Sequence, residues 1–146
     1  MSTVVFPNTM FDVRAWLRAA PNLAPIHGGR VFFRLPDTVQ TPCMRIYRAG
    51  GAVMTNSEAP VQDIRLSIEI WGSAWKDYPV LTNLQLALED LCHNVQGGTL
   101  INPSGNTVLH NASFNVGFDS PDPETGWPRI VCDVVVTVTA KTPTVI

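Results

Sequence analysis

The chain has 146 residues, of which 45% are hydrophobic and 15% are charged, and these values predict one soluble domain around a single core. No apolar run approaches the roughly 20 residues of a membrane span, and the first residues lack the basic and apolar segments of a secretory signal. The three cysteines, Cys43, Cys92 and Cys132, are odd in number and widely spaced. This pattern predicts buried free thiols in a reducing cytosol and no disulfide framework.

The net charge of −2 hides an asymmetry along the chain. Up to Arg48 there are six arginines and two acidic residues, whereas the remainder holds four basic and ten acidic residues. Arg outnumbers Lys eight to two, and interfaces favour Arg because its planar guanidinium binds a carboxylate through two hydrogen bonds. Opposite patches could therefore meet between copies of the chain. The alternative is that the charges lie on solvated faces and cluster only in sequence.

The N-terminal part predicts a helix and then two short strands. The helix is expected over residues 8–20 and ends before Pro21, because one face carries Met10, Val13, Trp16 or Leu17, and Ala20. The segment 21–29 holds prolines and glycines and predicts a loop. Strands are expected over 30–35 and 43–48, the second ending at Gly50-Gly51, and the small and polar segment 52–60 predicts a mobile loop.

The centre of the chain predicts its longest strand and its best helix. Apolar residues alternate along 61–71, which is the period of a half-buried strand; they are Ile64, Leu66, Ile68 and Ile70. The segment 78–95 carries one helical stripe, formed by Leu81, Leu84, Leu88, Leu91 and Val95. Asp77 is the expected N-cap, Pro79 falls in the first turn, and Gly97-Gly98 is expected to close the helix. The stripe is expected to pack on the strand's apolar face together with Val134 and Val136.

Two further strands follow, around an acidic, proline-broken loop at 119–128. The strand over 107–118 is expected to place six residues on one face, namely Val108, His110, Ala112, Phe114, Val116 and Phe118. This puts His110 in an apolar row. The last strand is expected over 129–140. The order α-β-β-β-α-β-β predicts an α+β fold, in which two helices pack on one face of a mainly antiparallel sheet, and residues 1–146 form one domain.

The search for chemistry returns no convincing centre. The loop His27-Gly28-Gly29-Arg30 lacks the spacing of a phosphate-binding turn, and Cys92-His93 are adjacent on a helix and have no further ligands at metal-binding spacing. Asp63 and Glu69 are six residues apart on one strand, so they are interpreted as surface charges. No serine lies in a nucleophile elbow, and no basic recognition helix is visible. The sequence therefore predicts no catalytic, cofactor or metal site, and it favours an assembly role over an enzyme.

Four stretches together carry a family resemblance. They are Arg14-Ala15-Trp16-Leu17-Arg18, Arg30-Val31-Phe32, the strand from Pro42 that ends in Arg48-Ala49-Gly50-Gly51, and Ile68-Glu69-Ile70-Trp71-Gly72 before an amphipathic helix. In these stretches the chain resembles the tail terminator proteins, also called tail completion or tail-to-head joining proteins, of long non-contractile-tailed bacteriophages. The Gly-Gly end is similar to the actinobacterial-phage type. The resemblance extends to about residue 96 and, more loosely, to the last two strands, but the acidic 119–128 loop is not part of it.

The resemblance implies a structural virion protein, made in the host cytoplasm, at the head-proximal end of the tail. It implies a homohexameric ring that stops polymerisation of the tail tube protein and meets a head completion or neck protein. DNA would pass through the lumen without sequence-specific binding. The alternatives are a head-completion or stopper protein of the neck, a small-ligand-binding α+β domain, and an enzyme whose site forms only between subunits.

The charge asymmetry and the resemblance together predict a head-to-tail subunit or partner interface. Arg45 and Arg48 are the expected basic side, and the 119–128 loop supplies the acidic side through Asp119, Asp122 and Glu124. Trp127 is the expected apolar anchor, because aromatic residues and Arg carry much of the binding energy at interfaces. The alternative for Trp127 is that it folds back over the edge of the sheet.

Overall fold

The computed structural model describes residues 4–5, 9–54, 61–95, 99–101, 107–140 and 144–145. The strands are β1 (Val4–Val5), β2 (Val31–Phe32), β3 (Cys43–Met54), β4 (Val61–Trp71), β5 (Thr99–Ile101), β6 (Thr107–Asp119), β7 (Arg129–Ala140) and β8 (Thr144–Val145). The helices are α1 (Thr9–Ala19), α2 (Ala24–His27) and α3 (Tyr78–His93), and a 3-10 turn at Trp75–Asp77 leads into α3.

The described strands form one six-stranded sheet in the order β2-β3-β4-β7-β6-β5, while β1 pairs with β8 separately. All neighbours in the large sheet are antiparallel except β2 and β3, which are parallel. Buried side chains of α1 and α3 join those of the strands in one cluster on a single face of the sheet. The predicted α+β class and the order of its main elements are therefore confirmed. The expected mobile loop lies partly outside the described residues, and the Gly97-Gly98 helix end lies wholly outside them.

The core forms where α3 packs on the two central strands. Their register places Ile64 opposite Val136, Leu66 opposite Val134 and Ile68 opposite Cys132. Leu81, Leu84 and Leu88 of α3 are fully buried against them. Burying each such side chain contributes about 1.5–3 kcal/mol, so this contact is a main source of stability. Leu91 and Val95 are only partly buried against the core, and Cys92 occupies an interior position instead.

The start of α3 differs from the prediction. Pro79 falls in the first turn as expected, but the Asp77 side chain forms no capping hydrogen bond. The reason is that Asp77 already belongs to the 3-10 turn and has helical backbone angles. A residue in that conformation does not hold its side chain over the N–H groups of the next turn, as an extended N-cap does.

α3 also runs very close to β6. A methyl group at Gly117 would lie 2.6 Å from Nε2 of Gln85 and 3.3 Å from a ring carbon of Phe114. The end of the Gln85 side chain therefore lies over Gly117, in the space that a β-carbon would occupy.

The predicted N-terminal helix is confirmed as α1, with Val13 and Leu17 fully buried and Trp16 only partly buried. The segment predicted as a loop contains α2, which ends at Gly28 in the left-handed conformation. His27 is buried, its Nδ1 accepts a hydrogen bond from the N–H of Gly29 at 2.9 Å, and its Nε2 lies 3.0 Å from the carbonyl oxygen of Leu17. The proton must therefore sit on Nε2, and the ring ties α2 to α1.

The faces of β6 correct the sequence prediction. Its pairing with β7 shifts register between Leu109 and Asn111 and again between Phe114 and Val116. At each shift β6 contains one extra residue, so the side chains after it point to the opposite face from the one that simple alternation predicts. Leu109, Ala112 and Phe114 consequently point to the core. The predicted single row is wrong for the remaining residues, because His110 is exposed, Val116 and Phe118 are exposed, and Val108 pairs with Thr139 on the opposite face.

The strands near the N-terminus also differ in length from the prediction. β2 covers only two of the six residues expected, since the backbone leaves the sheet after Phe32. β3 continues through Gly50-Gly51 to Met54, with a register shift between Arg48 and Gly50. The glycines therefore produce an irregularity within the strand where an end was expected, as glycine often does in sheets.

Candidate assembly surfaces

Both long helices lie on one face of the sheet, so the opposite face, called the open face, is not covered by helix among the described residues. Its side chains come from the four long strands. They include Arg45 and Tyr47 of β3, Arg65 and Glu69 of β4, Arg129 and Asp133 of β7, and Val116 and Phe118 of β6. An uncovered face with both charged and apolar side chains is a candidate surface for assembly.

Glu69 is the centre of the open face, although the sequence interpretation made it a surface charge. It is only 5% exposed. Its Oε1 accepts hydrogen bonds from Nη1 of Arg45 at 3.1 Å and from Nε1 of Trp71 at 3.2 Å, and its Oε2 lies 3.8 Å from Nη1 of Arg129. Glu69 is buried because large side chains of neighbouring strands lie over its carboxylate. The alternation of residues along a single strand does not show contacts with other strands.

The guanidinium groups around Glu69 are themselves held in place. That of Arg129 stacks over Trp71 at 5.0 Å, and its Nε donates to the carbonyl oxygen of Ser120 at 2.8 Å. That of Arg45 stacks over Tyr47 at 4.7 Å. The cluster therefore fixes the position of the 119–128 loop relative to the sheet.

A second ion pair crosses the same face. Arg65 donates two hydrogen bonds to Asp133, from Nε at 2.9 Å and from Nη2 at 3.1 Å. These bonds lower the pKa of Asp133 from its ordinary value. Asp63, on the same strand as Arg65, accepts a hydrogen bond of 2.6 Å from Thr137. The three arginines of the open face thus each lie near a carboxylate of their own subunit.

Apolar side chains border these ion pairs on both sides. Phe118 is 52% exposed and Val116 is 49% exposed on β6, while Tyr47 is exposed on β3. The register shifts in β6 bring the first two residues to this face. Exposed aromatic side chains beside ordered charges are typical of interaction surfaces.

The 119–128 loop is built around Asp122. Its carboxylate accepts hydrogen bonds from the N–H and the hydroxyl of Thr125, and these bonds lower the pKa of Asp122. The N–H of Asp122 donates to the carbonyl oxygen of Trp127 at 3.0 Å, and Gly126 turns the chain with φ of 71°. Asp119 accepts a 2.5 Å hydrogen bond from the hydroxyl of Tyr78, and this bond raises the pKa of Tyr78. Asp119 and Asp122 are therefore already engaged within the subunit.

The other predicted interface residues are placed as follows. Arg48 is exposed, and its Nε donates to the carbonyl oxygen of Gly50 at 3.3 Å. Glu124 is exposed at the tip of the loop, and Trp127 is partly buried. Among the described residues, no salt bridge joins Arg45 or Arg48 to the loop within one subunit. The predicted pairing between these two regions stays a prediction about contacts between subunits.

Two surfaces on the helical side were not singled out from the sequence. The first, called the knob, consists of Phe11, Arg14 and Phe33. The two rings meet edge to face with centroids 5.3 Å apart, and the Arg14 guanidinium lies 4.9 Å from the first ring and 4.3 Å from the second. Phe11 is 45% exposed. The signal in the sequence is that Phe11 is a large apolar residue outside the apolar stripe of its helix.

The second surface, called the socket, lies on the outer side of α3 and consists of Leu86, Glu89 and Asp90. Leu86 is 62% exposed, and both acids are exposed. Beside Glu89 a groove of about 300 Å³ runs along β6, lined also by His93 and Phe114. The sequence marks Leu86 in the same way as Phe11, as a large apolar residue outside the apolar stripe of its helix.

The cysteines and the potential metal ligands are the remaining side chains to consider for chemistry. All three cysteines are buried, and burial raises the pKa of Cys43 to about 11 and those of Cys92 and Cys132 to about 12. Such thiols stay protonated and unreactive at neutral pH. Within the described ranges, no three metal-ligating side chains come together, and no helix there is long and apolar enough to cross a membrane.

Comparison with known proteins gives a likeness in fold. No protein-family profile matches the sequence, and no curated protein matches it significantly. Among solved structures, the fold is similar to that of a chain described as part of the virion of a native gene transfer agent particle. The match has a TM-score of 0.64 at 16% sequence identity and covers 84% of this chain and 88% of the other. The shared fold therefore includes most of both chains.

Proposed function

We propose that this protein is a non-enzymatic structural subunit of a phage-like virion, and that its place in the virion is the head-proximal end of the tail tube. There it forms a homohexameric ring that ends tube polymerisation and joins the tail to the neck. The observation that carries the proposal is the fold shared with a gene transfer agent virion chain over most of both lengths. The sequence resemblance to tail terminator proteins supports the position at the tail end.

The surfaces of the molecule support an assembly role. A ring subunit that joins tail to head must contact neighbouring copies, the tube protein and a neck protein. The open face, the knob and the socket each carry exposed apolar side chains beside charged ones. Such surfaces are common where proteins associate.

The net charge of −2 is compatible with a passage through which DNA slides. Binding to the phosphate backbone becomes stronger with each Lys or Arg that contacts it. Each of the open-face arginines, Arg45, Arg65 and Arg129, lies near a carboxylate of the same subunit. This surface therefore has little free positive charge with which to hold DNA.

The test is a capping experiment. The purified protein is added to polymerising tail tube protein, and tube length and end structure are measured by electron microscopy. We expect tubes of limited length that carry a six-fold ring at one end. Tubes that lengthen without limit and carry no ring would contradict the proposal.

A head-completion or stopper protein is the second candidate, because the likeness names the particle and not a position within it. The same preparation is therefore also mixed with tailless heads. Binding to heads and no effect on tubes would favour the stopper. Binding to tube ends alone would favour the terminator.

A further inference from the structure

We infer that the knob of one subunit binds the socket of the next copy in a head-to-tail contact, with Phe11 and Phe33 against Leu86 and the β6 groove, and Arg14 against Glu89 and Asp90. This inference rests on the proposed ring and names the surfaces that close it. It differs from the predicted contact between Arg45 or Arg48 and the 119–128 loop.

The knob is ordered before any partner arrives. The two phenylalanine rings and the guanidinium are stacked on one another at 4.3–5.3 Å, so little side-chain freedom remains to be lost on binding. Arg14 makes no salt bridge among the described residues. Its pKa is lowered, first by partial burial and then by the charge of Arg18. The local field is thus positive, and no carboxylate of the described residues forms a salt bridge with Arg14.

The socket carries the opposite charge. α3 contains no Lys or Arg, and its last turns hold Glu89 and Asp90. Carboxylates near a helix C-terminus oppose the helix dipole and do not stabilise the helix. Neither acid forms a salt bridge within the described chain. A basic group of a second copy would therefore find two unpaired carboxylates at this end of α3.

The two surfaces also match in shape. Leu86 is the most exposed large hydrophobic residue among those described, and the groove beside Glu89 has room for an aromatic ring. Interface energy concentrates where aromatic and Arg side chains fill such a pocket. The knob supplies both kinds of side chain.

The two surfaces are unlike and occupy different helices. α2 packs against both α1 and α3, so it separates the knob from the socket. A contact between unlike patches of one chain is heterologous, and it gives a ring when the rotation between copies closes. A second copy is therefore the partner that matches this pair of surfaces in charge and shape.

The experiment uses two charge-reversed variants. The first is Arg14→Glu, and the second combines Glu89→Arg with Asp90→Arg. Self-association is measured by native mass spectrometry and sedimentation, both alone and on capped tube ends. Each variant brings like charges together, so we expect self-association at least about tenfold weaker than wild type. Thermal unfolding checks that both variants fold, and the second replaces unfavourable charges at a helix end with favourable ones.

Mixing the two variants gives the decisive result. In a head-to-tail contact, the acidic knob of the first variant meets the basic socket of the second, and the basic knob of the second meets the acidic socket of the first. Rings of alternating copies should therefore form in the mixture, and a chain that carries all three substitutions should form rings by itself. Failure of both to recover association would overturn the inference.

Arg48→Glu is the matched control, since it makes the same charge change at an exposed arginine of β3. If it abolishes association while Arg14→Glu does not, the contact involves Arg48 and the knob–socket inference is wrong. Tube capping is scored separately. Normal capping by Arg14→Glu would overturn this contact and leave the proposed function standing. If the two variants restore each other's association but the wild-type protein does not cap tubes, the knob–socket contact stands and the proposed function is wrong.

Discussion

Thr107 donates a 2.5 Å hydrogen bond from its hydroxyl to the carboxylate of Asp12, and both side chains are buried. The bond joins α1 to β6 across 95 residues of sequence. Losing one hydrogen bond to a buried carboxyl group destabilises the folded state by about 1–3 kcal/mol. We therefore expect Thr107→Val to lower the free energy of unfolding in urea by that amount.

Thr107→Ser is the control for this change, because it retains the hydroxyl and removes one methyl group. We expect Thr107→Ser to lower the free energy of unfolding by about 0.8 kcal/mol, the contribution of one buried methylene-sized group. Equal losses for the two variants would show that the methyl group, and not the hydrogen bond, stabilises this position.

The Glu69 cluster makes a second prediction. Glu69→Gln keeps the shape of the side chain but removes the charge that faces Arg45 and Arg129. Breaking a buried pair destabilises by about 3–5 kcal/mol. Water offsets part of this loss because the Arg45 side chain is 36% exposed, so we expect about 1–3 kcal/mol in chemical unfolding.

Asp133→Asn is the comparison on the same face. Its partner Arg65 is 59% exposed in its side chain, and exposed pairs contribute less than about 1 kcal/mol. A loss at Asp133 as large as that at Glu69 would contradict the view that burial makes the Glu69 cluster the stronger of the two.

The core of α3 provides the third prediction. Leu88→Ala removes a fully buried side chain and leaves a cavity, so the free energy of unfolding should fall by about 2–5 kcal/mol. Leu86→Ala, two residues earlier on the exposed side, should change it by no more than about 0.5 kcal/mol in the monomer. If the two variants melt alike, the assignment of the inner face of α3 is wrong.

Much of the fold was predictable because its main elements have regular periods. The alternation of Ile64 to Ile70 and the stripe from Leu81 to Leu88 each specify which face is buried. The observed register and burial agree with both. These elements also agree with the α+β class, since a helix can bury its apolar stripe against the apolar face of a strand.

The unpredicted features arise from contacts between distant segments. The two register shifts in β6 depend on its pairing with β7, and nothing in the local sequence marks them. The burial of Glu69 depends on Arg45 and Arg129, which lie 24 residues before it and 60 residues after it. The knob joins Phe11 of a helix to Phe33 beyond a strand. Sequence periodicity shows only that Phe11 and Leu86 do not belong to the core stripes.

The last prediction concerns pH and follows from the tautomer of His27. Its Nδ1 accepts the N–H of Gly29, so a proton on Nδ1 would face another proton. Burial lowers the pKa of His27 most strongly, and the charges of Arg30 and Arg18 lower it further, against hydrogen bonds that raise it. The folded protein therefore holds this ring neutral to a lower pH than the unfolded chain does.

The sign of the effect follows from proton binding. Above a pH of about 6.5, the ordinary pKa of histidine, the ring is neutral in both states and stability is unaffected. Below that pH, the unfolded chain binds a proton that the folded protein does not, so stability falls by up to about 1.4 kcal/mol per pH unit until the folded-state pKa is reached. His27→Gln removes this titration and can still donate to the carbonyl oxygen of Leu17.

The measurement compares urea unfolding of wild type and His27→Gln between about pH 7.5 and about pH 5.5, roughly one unit either side of the ordinary histidine pKa. The difference in unfolding free energy isolates His27, since the other titrating groups are common to both proteins. We expect wild type to lose its advantage as the pH falls. A difference between wild type and His27→Gln that stays constant with pH would show that His27 is not held neutral in the folded state.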